Sequence, residues 1–409
     1  MSRAGCCVVG GGPAGMVLGL LLARCGVDVT VLEKHGDFLR DFRGDTVHPT
    51  TLSLLEDLGL AQRFARLAQR RVHQVRVPIG EDGGFVTLAD FTRLRTKYNY
   101  IAMVPQWDFL DLLADSAREE ASFTLRMNTE VTGFLEEGGR INGVRYRTRD
   151  GEVGEVRAPL TVACDGRDSV ARTLPQLDIH DFSTPMDVMW FRLPRHPDDP
   201  EGGVGAVSRG QFTILIDRGD YYQTAAIIAK GTDAENRSHP IDDFNSRLLA
   251  QFPWMSGRPL VQAWDDVKLL DVQLDRMRRW HTPGLLCIGD AAHAMSPVGG
   301  VGINLAVQDA VAAARYLEEP LRRGLVTRAD VAAVQRRRWP TTALIQSLQR
   351  AAHRRVVLPA LRGDIDFARA STLPLPLRLT ERTPWARRIP PYLLAYGALR
   401  EHPPPAAVR

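Results

Sequence analysis

Residues 5–9, Gly-Cys-Cys-Val-Val, form a short apolar run bounded by glycines, the pattern of a strand buried on both faces. Apolar positions at helical spacing follow over 13–25, Gly26 supplies a stop, and Val27–Leu32 reads as a second strand. Strand, helix and strand in succession make a βαβ unit. Between 50 and 70, Leu52, Leu55, Leu58, Leu60 and Phe64 form the stripe of one amphipathic helix. Residues 72–104 alternate in short stretches around Gly83-Gly84, which predicts a hairpin excursion. The pattern then predicts a helix over 107–119 and several strands between 122 and 164. Strands dominate 185–230, before a helix near 241–251 and a strand at 267–274. The apolar run Leu285–Ile288 ends in Gly289-Asp290, and a long helix begins near 303. Beyond 355 prolines become frequent, and a tail with one or two short helices is expected.

At 409 residues the chain exceeds the usual size of one compact domain, and two packed domains are expected. The net charge of +4 hides an asymmetry: residues 320–409 carry +12 and the rest −8. Such a tail could dock on its own acidic body, touch anionic lipid or meet an acidic partner. Trp385, Arg387, Arg388, Tyr392, Leu393, Leu394 and Tyr396 combine aromatic, apolar and basic character, which suits weak peripheral membrane contact as the alternative to packing. Five cysteines, odd in number and without C-x-x-C spacing, read as buried reduced thiols and point to no metal site. Nothing at the start resembles a signal peptide, and no apolar run approaches the roughly 18 residues of a spanning helix. The cytoplasm is the expected location, and no motif suggests nucleic acid.

Three stretches carry chemistry. Gly10-Gly-Gly12-Pro13-Ala14-Gly15 fits G-x-G-x-x-G between strand and helix. Gly10 allows the tight turn, Gly12 lets backbone approach a pyrophosphate, and Gly15 lets the helix lie close on the sheet. The helix N-terminus then faces the phosphates. Glu33, at the end of the second strand, is placed to accept hydrogen bonds from a ribose. The second stretch, 160–172, is an apolar strand ending in Asp165-Gly166, followed by a helix-start pattern through Ser169 to Arg172. The third runs from Leu285 through Gly289-Asp290-Ala-Ala-His293 and Pro297 to Gly299-Gly300-Val301-Gly302-Ile303-Asn304. Asp290 could accept bonds from a polyol, and the next helix N-terminus could stabilise negative charge on a reduced flavin ring.

With these motifs in this order, residues 5–320 resemble the class A flavin-dependent aromatic hydroxylases, the para-hydroxybenzoate hydroxylase family. The resemblance implies an α/β fold, a Rossmann-like FAD-binding domain with an interleaved antiparallel-sheet substrate domain. The FAD-binding parts are expected at 1–70, 99–175 and 278–340, the substrate parts at 71–98 and 176–277, and a helical, Pro-rich basic tail at 341–409. It further implies that Gly10, Gly12, Pro13, Ala14, Gly15 and Glu33 hold the ADP half of FAD. Arg43 and Gln106 would approach the pyrophosphate and ribityl, and many relatives carry Arg at the latter position. Asp165 and Arg172 would serve both FAD and NADPH. Asp290 would bind ribityl, and Pro297 with Gly300, Val301, Gly302, Ile303 and Asn304 would border the flavin ring.

NADPH or NADH would visit transiently, and oxygen would reach a small aromatic substrate, phenol-like or polycyclic, through a flavin C4a-hydroperoxide. Catalytic candidates are Pro297, through its rigid backbone, and His48 as a base for a phenol; His293 reads as a packing residue. Trp190, Arg192, Tyr221 and Gln223 are candidate pocket residues, although alternation lets only half of each strand face a ligand. A halogenase is disfavoured, since no two tryptophans stand two apart. An epoxidase or reductase of polyprenyl chains stays open, as does an FAD-less escort protein of the same fold.

Overall fold

The computed structural model describes residues 2–39, 45–79, 84–208, 210–365 and 389–409. Its organising element is a six-stranded sheet in the order His281–Thr282, Leu285–Cys287, Thr161–Ala163, Cys6–Val9, Val29–Leu32, Phe123–Arg126. All neighbours run parallel except the His281–Thr282 edge. Strands of a parallel sheet covered on both sides must be apolar on both faces, which explains the unbroken Cys-Cys-Val-Val run. Cys6 and Val8 pack with the helices, Cys7 and Val9 with the strands on the other side.

On the helical side, Pro13–Arg24 buries every residue from Ala14 to Ala23. It lies between the sheet and the helices Gln106–Arg118 and Gly302–Arg322. On the other side Val131, Val144, Tyr146 and Val156, from an antiparallel meander, close over Cys7, Val9 and Leu32. All five cysteines are buried free thiols.

A second sheet, antiparallel, runs in the order Gly203–Ser208, Gln211–Asp217, Tyr221–Ala229, Met186–Pro194, Lys268–Leu270. Period-2 alternation divides it cleanly. Met189, Phe191, Leu193 and Tyr222 face the helix Ile241–Gln251. Met186, Val188, Trp190, Ala225 and Ile227 face the opposite way, against Val298 and Val357.

The expected hairpin is present as Gln74–Ile79 paired with Gly84–Asp90, and its turn lies outside the described residues. One helix expected over 50–70 is instead two, Pro49–Asp57 and Ala61–Ala65. Gly59 between them adopts φ +69°, a left-handed conformation that ends the first helix and leaves its apolar stripe intact. The strand expected over 267–274 is only Lys268–Leu270. Among the described residues no helix is long and apolar enough to cross a membrane.

Candidate functional site

Neighbouring parallel strands end side by side, so whatever follows them is brought together. Cys6–Val9, Thr161–Ala163 and Leu285–Cys287 are consecutive in the sheet. Backbone bonds continue past the strand ends, from Cys164 N–H to the Val9 carbonyl (2.7 Å) and from Ile288 N–H to the Ala163 carbonyl (3.0 Å). The three glycine-bearing motifs therefore share one edge of one sheet, the crevice where open α/β folds bind ligands.

Each glycine of the first motif has a separate reason. Gly10 adopts φ +95°, and a Cβ there would stand 2.7 Å from Asp165 Cα, so the turn and the Asp-Gly motif are in contact through Gly10. A Cβ on Gly15 would stand 1.9 Å from the Gly10 carbonyl oxygen. On Gly12 it would meet no protein atom within 4 Å. Two glycines serve the fold; Gly12 faces open space at the helix N-terminus, which has no side-chain cap and Pro13 in its first turn. An uncapped helix start offers N–H groups to an anion. Glu33 is 7% exposed and accepts from Gly11 N–H (2.8 Å) and from His35 N–H (3.0 Å). His35 Nδ1 also stands 2.7 Å from Oε1, so the carboxylate is fixed at the end of the second strand, where dinucleotide-binding folds carry the acid that meets a ribose.

Asp165 is held by Val170 N–H at Oδ2 (3.2 Å), while Oδ1 is buried with no partner among the described residues. Burial raises its pKa, and bonds from Ser169 and Val170 oppose that rise. A buried, unpartnered acceptor beside the Gly10 turn fits the hydroxyl-rich part of FAD. Arg172 is committed elsewhere. It grips Asp275 with both terminal nitrogens and reaches the Ala291 carbonyl with Nε (3.3 Å), tying the second motif to the third.

In the third motif, half-buried Asp290 lies on a single turn, Gly289–Ala291. Pro297 opens a turn closed by Gly300 N–H on its carbonyl (2.9 Å). Gln349 Nε2 donates to the carbonyls of Ser296 and Val298, both at 2.8 Å, and fixes the turn from behind. The Gly300 carbonyl accepts from Thr46 Oγ1 and from His48 Nε2, both at 2.9 Å. Val301 and Asn304 are buried; Gly302 begins the long helix and Ile303 is half-buried beside it. His48 is 0% exposed, and burial lowers its pKa to about 4 despite the Gly300 bond. A neutral imidazole whose N–H is given to a loop carbonyl supports a tie that shapes the loop. His293 is likewise buried, with Nε2 2.6 Å from Asp309 Oδ2.

Gln106 heads its helix, and its backbone N–H donates to Asp45. Arg43 lies outside the described residues, as do Trp385, Arg387 and Arg388. The four sheet candidates share a face, since Trp190 pairs with Ala225, Arg192 with Gln223 and Pro194 with Tyr221. It is the face that Val298 packs against. Arg192 stacks over the Tyr221 ring at 4.7 Å, and Trp190 Nε1 is buried without a partner among the described residues. Gln223 accepts from Arg218 Nε (2.9 Å), and Arg218 also pairs with Asp45. Burial raises Asp45 to about 6, against the pull of Arg218.

The Asp45–Arg218–Gln223 link joins the two sheets' territories and was not anticipated. The tail helix Ile389–Tyr396 packs on the body, with Ala395 and Tyr396 buried and Ile389 and Tyr392 exposed. Elsewhere a basic groove of about 840 Å³, lined by Arg276, Arg278, His281, Arg336 and Trp339 among others, contains none of the motif residues.

A sheet edge with three glycine motifs, an uncapped helix start and the partly buried acids Glu33, Asp165 and Asp290 defines a dinucleotide-binding protein. Residues 3–347 match the family described as FAD binding domain, and the chain belongs to that family, within the class A flavin-dependent aromatic hydroxylases. It is 33% identical over 397 residues to 6-methylpretetramide 4-monooxygenase of Streptomyces rimosus, covering 94% of this chain and 90% of that one. Rifampicin monooxygenase of Streptomyces venezuelae is 29% identical over 327 residues, covering 74% of this chain and 61% of that one. Among solved structures, OxyS anhydrotetracycline hydroxylase from Streptomyces rimosus shares the fold at TM-score 0.72 and 22% identity, covering 96% of this chain and 76% of that one. The protein is an FAD-dependent monooxygenase of aromatic compounds that uses dioxygen and a reduced nicotinamide; the polyprenyl and escort readings are not favoured.

Proposed function

We propose that the protein hydroxylates a fused-ring aromatic polyketide, bound between the Pro297–Asn304 loop and the sheet face bearing Trp190, Arg192, Tyr221 and Gln223. The observation that carries this reading is the 33% identity with 6-methylpretetramide 4-monooxygenase across 94% of the chain, which takes in the substrate sheet as well as the cofactor motifs. Bound FAD supplies the redox chemistry between nicotinamide, dioxygen and ring.

The chain's own residues position and shield. The helix start at Gly12–Gly15 would hold the pyrophosphate, Glu33 the adenosine ribose, and Asp290 with Asp165 the ribityl region. The turn at 297–300 would border the ring, its shape held by Gln349, Thr46 and His48. The unpartnered Trp190 Nε1 would donate to an oxygen of the substrate, since a buried donor gains most from a partner. Distinct apolar clusters beneath the two sheets support the division into cofactor parts (1–70, 99–175, 278–340) and substrate parts (71–98, 176–277). Burial of Ala395 and Tyr396 supports packing on the body as the role of the tail's aromatic segment. Five reduced buried thiols fit a cytoplasmic enzyme.

The test is a panel of fused-ring phenols, monocyclic phenols and polyprenyl compounds, following NADPH and NADH oxidation and product mass. A fused-ring phenol that stimulates oxidation and gains one oxygen atom is the expected result. Stimulation only by monocyclic or polyprenyl compounds would overturn the substrate class.

A further inference from the structure

The C-terminal segment 389–409 touches the cofactor half at three places. Asn304 Nδ2, in the first turn of the Gly302–Arg322 helix, donates to the carbonyls of Leu394 (3.2 Å) and Ala395 (3.1 Å). Thr50 Oγ1 also donates to the Ala395 carbonyl. At the far end, Arg409 N–H bonds the Asp57 carbonyl (3.0 Å), and Arg24 reaches the Ala407 carbonyl.

The middle contact is a buried chain of charges. Glu401 is 5% exposed, and its Oε1 accepts from Arg337 Nε (2.9 Å) and Arg338 Nη1 (3.1 Å). Arg338 is fully buried, and its Nε donates to Asp309 Oδ1 (2.8 Å). Asp309, also fully buried, uses Oδ2 to accept from His293 (2.6 Å) and from Gly289 N–H (3.1 Å). Gly289 directly precedes Asp290. Burial works to raise the Asp309 pKa, and His293 and Arg338 outweigh it, so the carboxyl stays ionised below its ordinary range.

Removing one member of a buried ionic chain leaves another charge uncompensated, and the chain relaxes where backbone can move. Here the two ends of the chain lie on the C-terminal segment, at Glu401, and at the Gly289–Asp290 turn. We propose that Asp309, Arg338 and Glu401 are positioning residues for the flavin. They hold the Gly289–Asp290 turn in register with the C-terminal segment, so FAD binding and seating of residues 389–409 are coupled. This rests on the reading that Asp290 holds the ribityl chain. Coupling between two equilibria is reciprocal, so each must report the other.

The experiment uses the full chain, with flavin-fluorescence titration of FAD and hydrogen exchange with and without FAD. The Glu401→Gln variant is expected to bind FAD at least about 10-fold more weakly, with Glu401→Asp recovering most of the loss. In the wild type, FAD is expected to slow amide exchange across 389–401, a change that a merely structural glutamate would not produce. FAD affinity within twofold of wild type in Glu401→Gln, or exchange at 389–401 unaltered by FAD, overturns the coupling. Asp290→Asn separates the two readings. If it binds FAD as tightly as wild type, the ribityl assignment fails; if it weakens FAD while Glu401→Gln does not, only the coupling fails.

Discussion

The crevice at the parallel sheet and the face of the antiparallel sheet are built on different principles. In the crevice, backbone geometry does the work: Gly10 at φ +95°, Gly15 pressed on a carbonyl, Gly12 open to a ligand. On the antiparallel face, side chains from distant segments do it, with Arg218 joining Asp45 to Gln223 and Arg192 lying over Tyr221. Backbone geometry admits few residue types, so such a site tolerates little change and advertises itself. A side-chain network can be rebuilt from other pairs, which lets one cofactor site serve many substrates.

That contrast predicts separable damage. Gly15→Ala should cost more than about 4 kcal/mol or prevent folding, because its Cβ would stand 1.9 Å from the Gly10 oxygen. Gly12→Ala should leave the melting temperature without FAD unchanged while weakening FAD by about 100-fold or more. Thermal melts and FAD titrations of the pair measure this, and equal folding damage in both variants would erase the distinction.

Arg218→Met should destabilise the protein by about 3 kcal/mol, by leaving Asp45 buried without its cation, yet leave FAD affinity within a few-fold. Denaturant unfolding and FAD titration decide it. A loss of FAD affinity as large as that of Gly12→Ala would mean that the two regions are not independent.

His48 gives the next effect. Its folded pKa, about 4, lies below the 6.5 of a free histidine. A depressed value stabilises the fold fully above pH 6.5, and that contribution is lost as pH falls through about 4. The difference amounts to roughly 3 kcal/mol, and His48→Gln should flatten the corresponding part of the stability-versus-pH curve. An unchanged slope between pH 6.5 and 4 would contradict the buried neutral imidazole. Smallest in stability is Trp190→Phe, within about 1 kcal/mol because its Nε1 has no partner to lose among the described residues. Its kcat/KM for an oxygenated ring should nevertheless fall about 10-fold.

The same contrast explains what could be read from sequence. Strand-glycine-helix order at Val9–Gly15, the acid at Glu33, and the Asp165 and Asp290 motifs are local patterns, and the sheet delivered them to one edge. Asp45, Arg218, Asp309, Arg338 and Glu401 are ordinary charged residues along the chain. Much of their meaning comes from distant partners, 29 positions away in the Arg338–Asp309 pair and 173 in the Arg218–Asp45 pair. Alternation put the sheet candidates on one face or the other but could not choose which. Gly59 carries no helix-stop signal in the sequence, because the apolar stripe continues through it.

A crystal structure of the full chain with FAD tests the central claim most directly. The account predicts the pyrophosphate against the backbone of Gly12–Gly15, the ribityl chain within hydrogen-bonding reach of Asp290, and the flavin ring along the Pro297–Asn304 loop. FAD bound away from the ends of Cys6–Val9, Thr161–Ala163 and Leu285–Cys287 would contradict it.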